Sequence, residues 1–260
     1  MNRNHEAVPT VARRPRAATS SSITQRRLTV SWAIRIHLGA VDTCPMKILE
    51  LTLPSTHLDR QERLYKDTFG FSCTRESETK LRIECGANVL NFVAAKRQFY
   101  FHYCFLIPPG CLDSVVDFLD ERGFEPLLYE GERLVDFGNG KAVYFWDGDG
   151  NLAEFIQRPS LGHPEQTDFA IHDVIRLNEI GMPAENPRQF AEQLIRQFQI
   201  DLVEGGIYRD DFVWCGDFEG VFLIPRVGRN WMPANRPAEQ NPLNVKFETA
   251  AGTFDYTIQI

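Results

Sequence analysis

The 260-residue chain has no apolar run approaching the ~18–20 residues that a membrane-spanning helix needs, so no membrane association is expected. It also has no surplus of positive charge: 28 Lys and Arg stand against 35 Asp and Glu, a net charge of −7. Binding to a phosphate backbone draws on clustered basic side chains, which argues against nucleic acid as the main partner. The six cysteines, Cys44, Cys73, Cys85, Cys104, Cys111 and Cys215, form no C-x-x-C pair and no zinc-type spacing. Several sit in apolar strand-like runs, where cysteine behaves as a small hydrophobe, and a reducing, cytoplasmic setting fits that usage. G-x-S-x-G, G-x-x-x-x-G-K and a helix-opening G-x-G-x-x-G are all missing, which removes the common nucleophile-elbow and nucleotide signatures.

What is present is ordinary globular composition, 43% hydrophobic and 24% charged, long enough for one large domain or two small ones. Residues 1–45 differ from the rest. Arg3, Arg13, Arg14, Arg16, Arg26, Arg27 and Arg35 lie among Ser, Thr and Ala, with Glu6 and Asp42 the only acids. The segment reads either as an organelle transit peptide or as an upstream extension before a start at Met46; the second reading is preferred, with disorder over most of it.

From Met46 the pattern becomes regular. Lys47–Pro54 alternates as a strand, with Leu49, Leu51 and Leu53 on one face and Ile48, Glu50 and Thr52 on the other. A helix is predicted over 59–69, closed by Gly70, then strands over 71–75, 80–85 and 88–94. This β-α-β-β-β order repeats. A strand over 99–107 precedes a helix over 112–122, and strands follow over 125–129, 133–137, 141–146 and 151–157. A third copy runs from a strand at 176–183 through a helix at 187–198 to strands at 202–208, 211–215 and 220–224. Two more strands, 243–248 and 254–260, read as a shortened fourth unit. Glu50-Leu-Thr-Leu-Pro54 and Glu179-Ile-Gly-Met-Pro183 share an acid, an apolar frame and a closing proline. The expected organisation is a paired βαβββ domain over 46–159, a linker over 160–169 and a second half over 170–260. The fold class is α+β, with tandem units pairing into cupped mixed sheets and helices outside.

The most informative stretch is Lys141–Gln157. It reads as a β-hairpin whose turn, Asp147-Gly-Asp-Gly-Asn151, is rich in residues that tolerate positive φ, and whose second strand carries one acid, Glu154, among apolar neighbours. A carboxylate placed so is costly to bury unless it is paired or holds a metal.

Tandem units ending in Asp147-Gly-Asp-Gly-Asn-Leu-Ala-Glu-Phe155 resemble the vicinal oxygen chelate superfamily, which includes glyoxalase I, bleomycin-resistance proteins and extradiol dioxygenases. Gly148 stands where proline is usual there. The resemblance implies one divalent metal ion (Mn, Fe, Ni, Mg or Zn) held between the first and closing strands of paired units. Matched position by position, its ligands would be Glu50, His102 and Glu154, with Asn91 a weak fourth. It also implies a small-molecule substrate with adjacent oxygens and is compatible with a homodimer. In a lyase or isomerase of this kind, Glu50 or Glu154 doubles as general base and Tyr144 donates a hydrogen bond. Glu179 is a weaker candidate still, and the half that carries it is expected to be structural or substrate-covering. Two alternatives stay open: metal-free binding of a small molecule, and extradiol-type ring cleavage. The latter ranks lower because Arg133–Asn139 holds no histidine upstream of Tyr144.

Overall fold

The computed structural model describes residues 45–259. The extension expected over 1–45 therefore lies, Pro45 apart, outside the described residues. The first unit opens with strand β1 (Lys47–Ser55), followed by α1 (Leu58–Glu62), which continues as a wider π-type coil over Arg63–Phe69. Gly70, at φ 87°, ends it, because only glycine takes that left-handed conformation without strain. Strands β2 (Ser72–Ser77), β3 (Lys80–Cys85) and β4 (Asn88–Ala94) complete the unit. The second unit holds β5 (His102–Ile107), α2 (Leu112–Glu121), the two-residue β6 (Val135–Asp136), β7 (Lys141–Trp146) and β8 (Leu152–Gln157). The third holds β9 (Arg176–Gly181), α3 (Pro187–Phe198), β10 (Phe212–Asp217) and β11 (Gly220–Pro225). A small ribbon, β12 (Asn230–Trp231) with β13 (Arg236–Pro237), leads to the hairpin β14 (Leu243–Thr249) and β15 (Gly252–Ile258).

Two mixed sheets result, in the cupped α+β arrangement the repeat pattern predicts. One runs β15-β14-β1-β4-β3-β2 and the other β10-β11-β9-β5-β8-β7-β6. The pairing of units differs from consecutive order. The shortened last unit adds to the first through antiparallel β1–β14, and the second joins the third through antiparallel β5–β9. The first two units, expected to pair as one domain over 46–159, thus lie in different sheets. Residues 160–169 connect two strands of the same sheet.

One apolar core is shared by the helices and the inner faces of both sheets; it includes Leu51, Phe92, Phe105, Phe155 and Phe247, all inaccessible to solvent. Burial of this kind is worth roughly 25 cal/mol per Å² of apolar surface and dominates the folding energy. A second, smaller cluster lies on the opposite face of the second sheet, around Cys104, Tyr144, Leu152, Trp214 and Trp231.

Three local expectations are corrected. In β1 the pairing shifts between Ile48 and Glu50, and this bulge turns Ile48 to the same buried side as Leu51 and Leu53, leaving Leu49 half-buried. Residues 125–129 form no strand, since Pro126 lacks an N–H to donate and only a single bridge joins Tyr129 to Glu132. Residues 202–208 make only isolated bridges, because Gly205 and Gly206 interrupt the run and Gly205 sits at φ 70°.

Candidate metal centre

Strand register shows where each unit presents side chains to its cup. In the second unit His102 lies opposite Leu152, and Cys104, two residues on, lies opposite Glu154. In the first unit Thr52, two residues after Glu50, lies opposite Asn91. Glu50 and Asn91 therefore hold the stations that His102 and Glu154 hold in the second unit. In the third unit Glu179 pairs with Val221 and Gly181 with Leu223, so Glu179 corresponds to His102 and Leu223 to Glu154.

Which stations meet is decided by sheet pairing. Across β5 and β9, Cys104 is opposite Glu179, which brings the stations of the second and third units together. One ligand atom from each of His102, Glu154 and Glu179 lies within 4.8 Å of the others, and all three side chains are buried. The fourth station, Leu223, is apolar. The equivalent place in the other sheet is built from Glu50, Asn91 and Asn244, the last opposite Thr52. There the Asn91 amide donates to Glu50 Oε1 at 2.6 Å and to Thr52 Oγ1 at 3.3 Å, and the Asn244 amide donates to Thr257 Oγ1 at 2.9 Å. Its two carboxylates, Glu50 and the exposed Asp255, each accept from an amide, and no imidazole joins them, which makes a poor cation site.

Of the residues expected from sequence, the structure thus brings His102, Glu154 and Tyr144 together and leaves Glu50 and Asn91 in the other sheet. The reason is topological: β1 takes β14 as its neighbour, so Glu50 never reaches β5. Glu179, ranked below the others in a half expected to be structural or substrate-covering, takes the vacated place. Its signal was in the Glu50–Pro54 and Glu179–Pro183 parallel, which already marks Glu179 as a first-strand station.

The local chemistry is specific. His102 Nδ1 donates to the Leu152 carbonyl at 3.1 Å, since a carbonyl can only accept, and Nε2 faces Glu154 Oε2 at 3.3 Å. Burial pushes the His102 imidazole down to about 4, partly offset by that carbonyl, so the ring is neutral at pH 7 with Nε2 as a lone-pair donor. Burial, and then the neighbouring Glu179 charge, push Glu154 well above the usual carboxylate range, while Arg158, the Tyr144 hydroxyl and the Cys104 thiol act in the opposite sense. Glu179 is raised by burial and held back by Arg158, whose guanidinium is its ion-pair partner. That guanidinium is itself fully buried: Nε donates to Asn178 Oδ1 at 3.0 Å, and Nη1 donates to the Asn139 carbonyl at 3.3 Å.

The three donors open onto a cavity of about 260 Å³. Phe212, Trp214, Ile156 and Met232 form apolar parts of its wall, and Arg209 and Arg229 lie on its lining. Trp231 packs against His102 with ring centroids 4.7 Å apart. It has room there because position 181 is glycine: a Cβ would stand 2.7 Å from the indole.

No family model matches this sequence, and no curated protein matches it. Solved structures do. A "putative dioxygenase" from Bacillus subtilis aligns over 82% of this chain and 85% of its own, at 13% identity and a TM-score of 0.54. A mutant of glyoxalase I from Zea mays aligns over 82% of this chain and 92% of its own, at 13% identity and a TM-score of 0.50. At such identities the likeness is one of fold, and it agrees with the resemblance carried by the Asp147–Phe155 hairpin. This chain has the vicinal oxygen chelate fold.

Proposed function

We propose that the chain is a divalent-metal-dependent lyase or isomerase acting on a small molecule with adjacent oxygens, with His102, Glu154 and Glu179 as the metal ligands. The observation that carries this reading is the convergence of three buried donors on one apolar-walled cavity. The donor set fits such an ion. His102 is neutral, with Nδ1 anchored to a carbonyl and Nε2 turned to the carboxylates, the arrangement that orients metal-binding imidazoles. One imidazole and two carboxylates form a fairly hard set suited to Mn, Fe, Ni, Mg or Zn. A bound ion would supply Lewis-acid stabilisation of negative charge on two adjacent substrate oxygens.

The protein's own groups do the rest. Glu154, opposite Cys104 and Tyr144 in the strand register and facing His102 Nε2, is the carboxylate best placed to take and return a substrate proton, and its burial raises its basicity. Tyr144 lines the cavity directly across the strand pair from Glu154. Arg158 fixes Glu179 and offsets one negative charge. Trp231, Phe212 and Trp214 keep water from the reacting end. Glu50 takes no part in this scheme.

Metal analysis of freshly purified protein tests the reading. About one divalent ion per chain is expected, lost in His102→Ala and Glu154→Ala while the far-ultraviolet circular dichroism is kept; ion-free wild type that cannot be loaded would sink it. A second reading, metal-free binding of a small molecule, draws on the Arg158–Glu179 pair. His102 is neutral and burial pushes Glu154 toward its protonated form, so that pair moves the cluster toward charge balance without any cation. In that case the same two substitutions leave ligand affinity unchanged.

A further inference from the structure

The metal reading leaves two charged residues of the cavity unexplained. Arg209 and Arg229 both line it, and neither touches His102, Glu154 or Glu179. Asp211 lies between them: Arg209 Nε is 3.4 Å from Asp211 Oδ1, and Arg229 Nε is 3.3 Å from Asp211 Oδ2. Two guanidinium groups on one carboxylate leave a net positive charge at this part of the lining, in a protein whose net charge is −7. Arg229 is held further, by donation from Nη1 to the Asn230 carbonyl at 3.2 Å and by its guanidinium lying 4.5 Å above the Phe212 ring. Arg229 is thus anchored through Nε and Nη1, Arg209 is ion-paired to Asp211 through Nε, and among the described residues no hydrogen bond takes Arg229 Nη2 or the terminal nitrogens of Arg209. A guanidinium oriented in advance, with free N–H groups beside an apolar cavity, is suited to a carboxylate or similar anion.

The distance of this charge from the metal centre follows from the wall between them. Trp231 packs on His102 at 4.7 Å, Phe212 meets Trp231 edge-on at 6.3 Å, and Arg229 caps Phe212 at 4.5 Å. The positive end is therefore two aromatic rings along the wall from His102. An occupant touching both ends needs an apolar body to lie against Phe212 and Trp231.

We propose that the cavity selects an apolar, preferably aromatic, molecule with an anionic group at the end opposite its adjacent oxygens, and that Arg209 and Arg229 receive the anion. For the other end of the ligand this rests on the metal centre proposed above. The test is calorimetric titration of metal-loaded protein with two probes, a catechol carrying an acetate side chain and the same catechol carrying an ethyl chain. The acid is expected to bind about tenfold or more tightly, as a charge-assisted hydrogen bond implies, and that ratio should fall toward one in Arg209→Gln and in Arg229→Gln. Arg209 is more than half exposed, so its substitution leaves the fold in place even if the ribbon carrying Arg229 is disturbed. Equal binding of the two probes, a preference that survives both substitutions, or no binding of either would overturn the proposal. Repeating the titrations after chelation separates the two ideas. Metal-dependent binding without preference leaves the metal centre standing and removes the anion subsite. An arginine-dependent preference that is indifferent to the chelator does the reverse.

Discussion

Glu154 and Glu179 are buried beside a single guanidinium, and their ionisation governs how the site responds to pH. Both are raised above the usual carboxylate range, chiefly by burial. A carboxyl raised on folding binds more protons in the folded than in the unfolded chain between its ordinary value and its raised one. In that window stability falls as pH rises. Chelator-treated protein should therefore lose urea resistance as pH rises above the ordinary carboxylate value, through these groups, and Glu154→Gln should flatten the slope. A wild-type slope left unchanged by that substitution would contradict the assignment. An ion has to displace the protons, so loading the site should release them and grow tighter as pH rises, which pH-stat titration with Mn or Ni salts would show. At this scale the sequence was readable in part. Glu154 stood out as one acid among apolar strand neighbours, and the family resemblance added His102 by position. Glu179 was visible as a repeat of Glu50, but which of the two faced His102 depended on strand neighbours up to ~200 residues apart, which no local pattern encodes.

The hairpin turn between β7 and β8 does structural work that its turn-forming composition only half disclosed. Asp147 is buried, and its Oδ2 accepts from Gln61 at 2.8 Å, Tyr103 at 2.7 Å and Asn151 Nδ2 at 2.7 Å. Its Oδ1 accepts the backbone N–H groups of Asp149 and Asn151. Asp149 Oδ1 meets His57 Nδ1 at 2.8 Å, so the turn of the second unit is stitched to the first helix of the first. Gly148 belongs to the same contact: a Cβ there would lie 2.8 Å from the Arg60 carbonyl carbon and 2.9 Å from Gln61 N. The glycine, where proline is usual in the superfamily that the hairpin resembles, thus answers to a close backbone approach. Gly148→Ala should destabilise by about 1–3 kcal/mol through that overlap. Asp147→Ala should cost about 2–4 kcal/mol, because it strands several buried donors at once. Denaturant midpoints would measure both, and values within the noise of wild type would mean the stitch is dispensable. The turn residues were legible because they act locally. Their acceptor role was not, since Gln61 and Tyr103 come from distant segments.

In the whole molecule, unit order and unit pairing diverge. The βαβββ periodicity and the shortened last unit could be read from apolar alternation, helix stops and glycine positions. The pairing of first with fourth and second with third could not, because the strand edges that meet are chemically similar. The consequence is testable. A fragment spanning 46–159 leaves β1 without β14 and β5 without β9, exposing two strand edges and much of the shared core, so it should fail to give a dispersed amide NMR spectrum. A well-dispersed, cooperatively unfolding fragment would restore the first two units as an independent domain. The pairing also bears on the central claim, because it is what replaces Glu50 with Glu179 beside His102 and Glu154. The most direct measurement is metal content by elemental analysis of wild type, Glu179→Ala and Glu50→Ala purified side by side. About one divalent ion per chain in wild type and Glu50→Ala, with loss in Glu179→Ala, is the predicted result. Retention in Glu179→Ala with loss in Glu50→Ala, or no ion in any of the three, would contradict it.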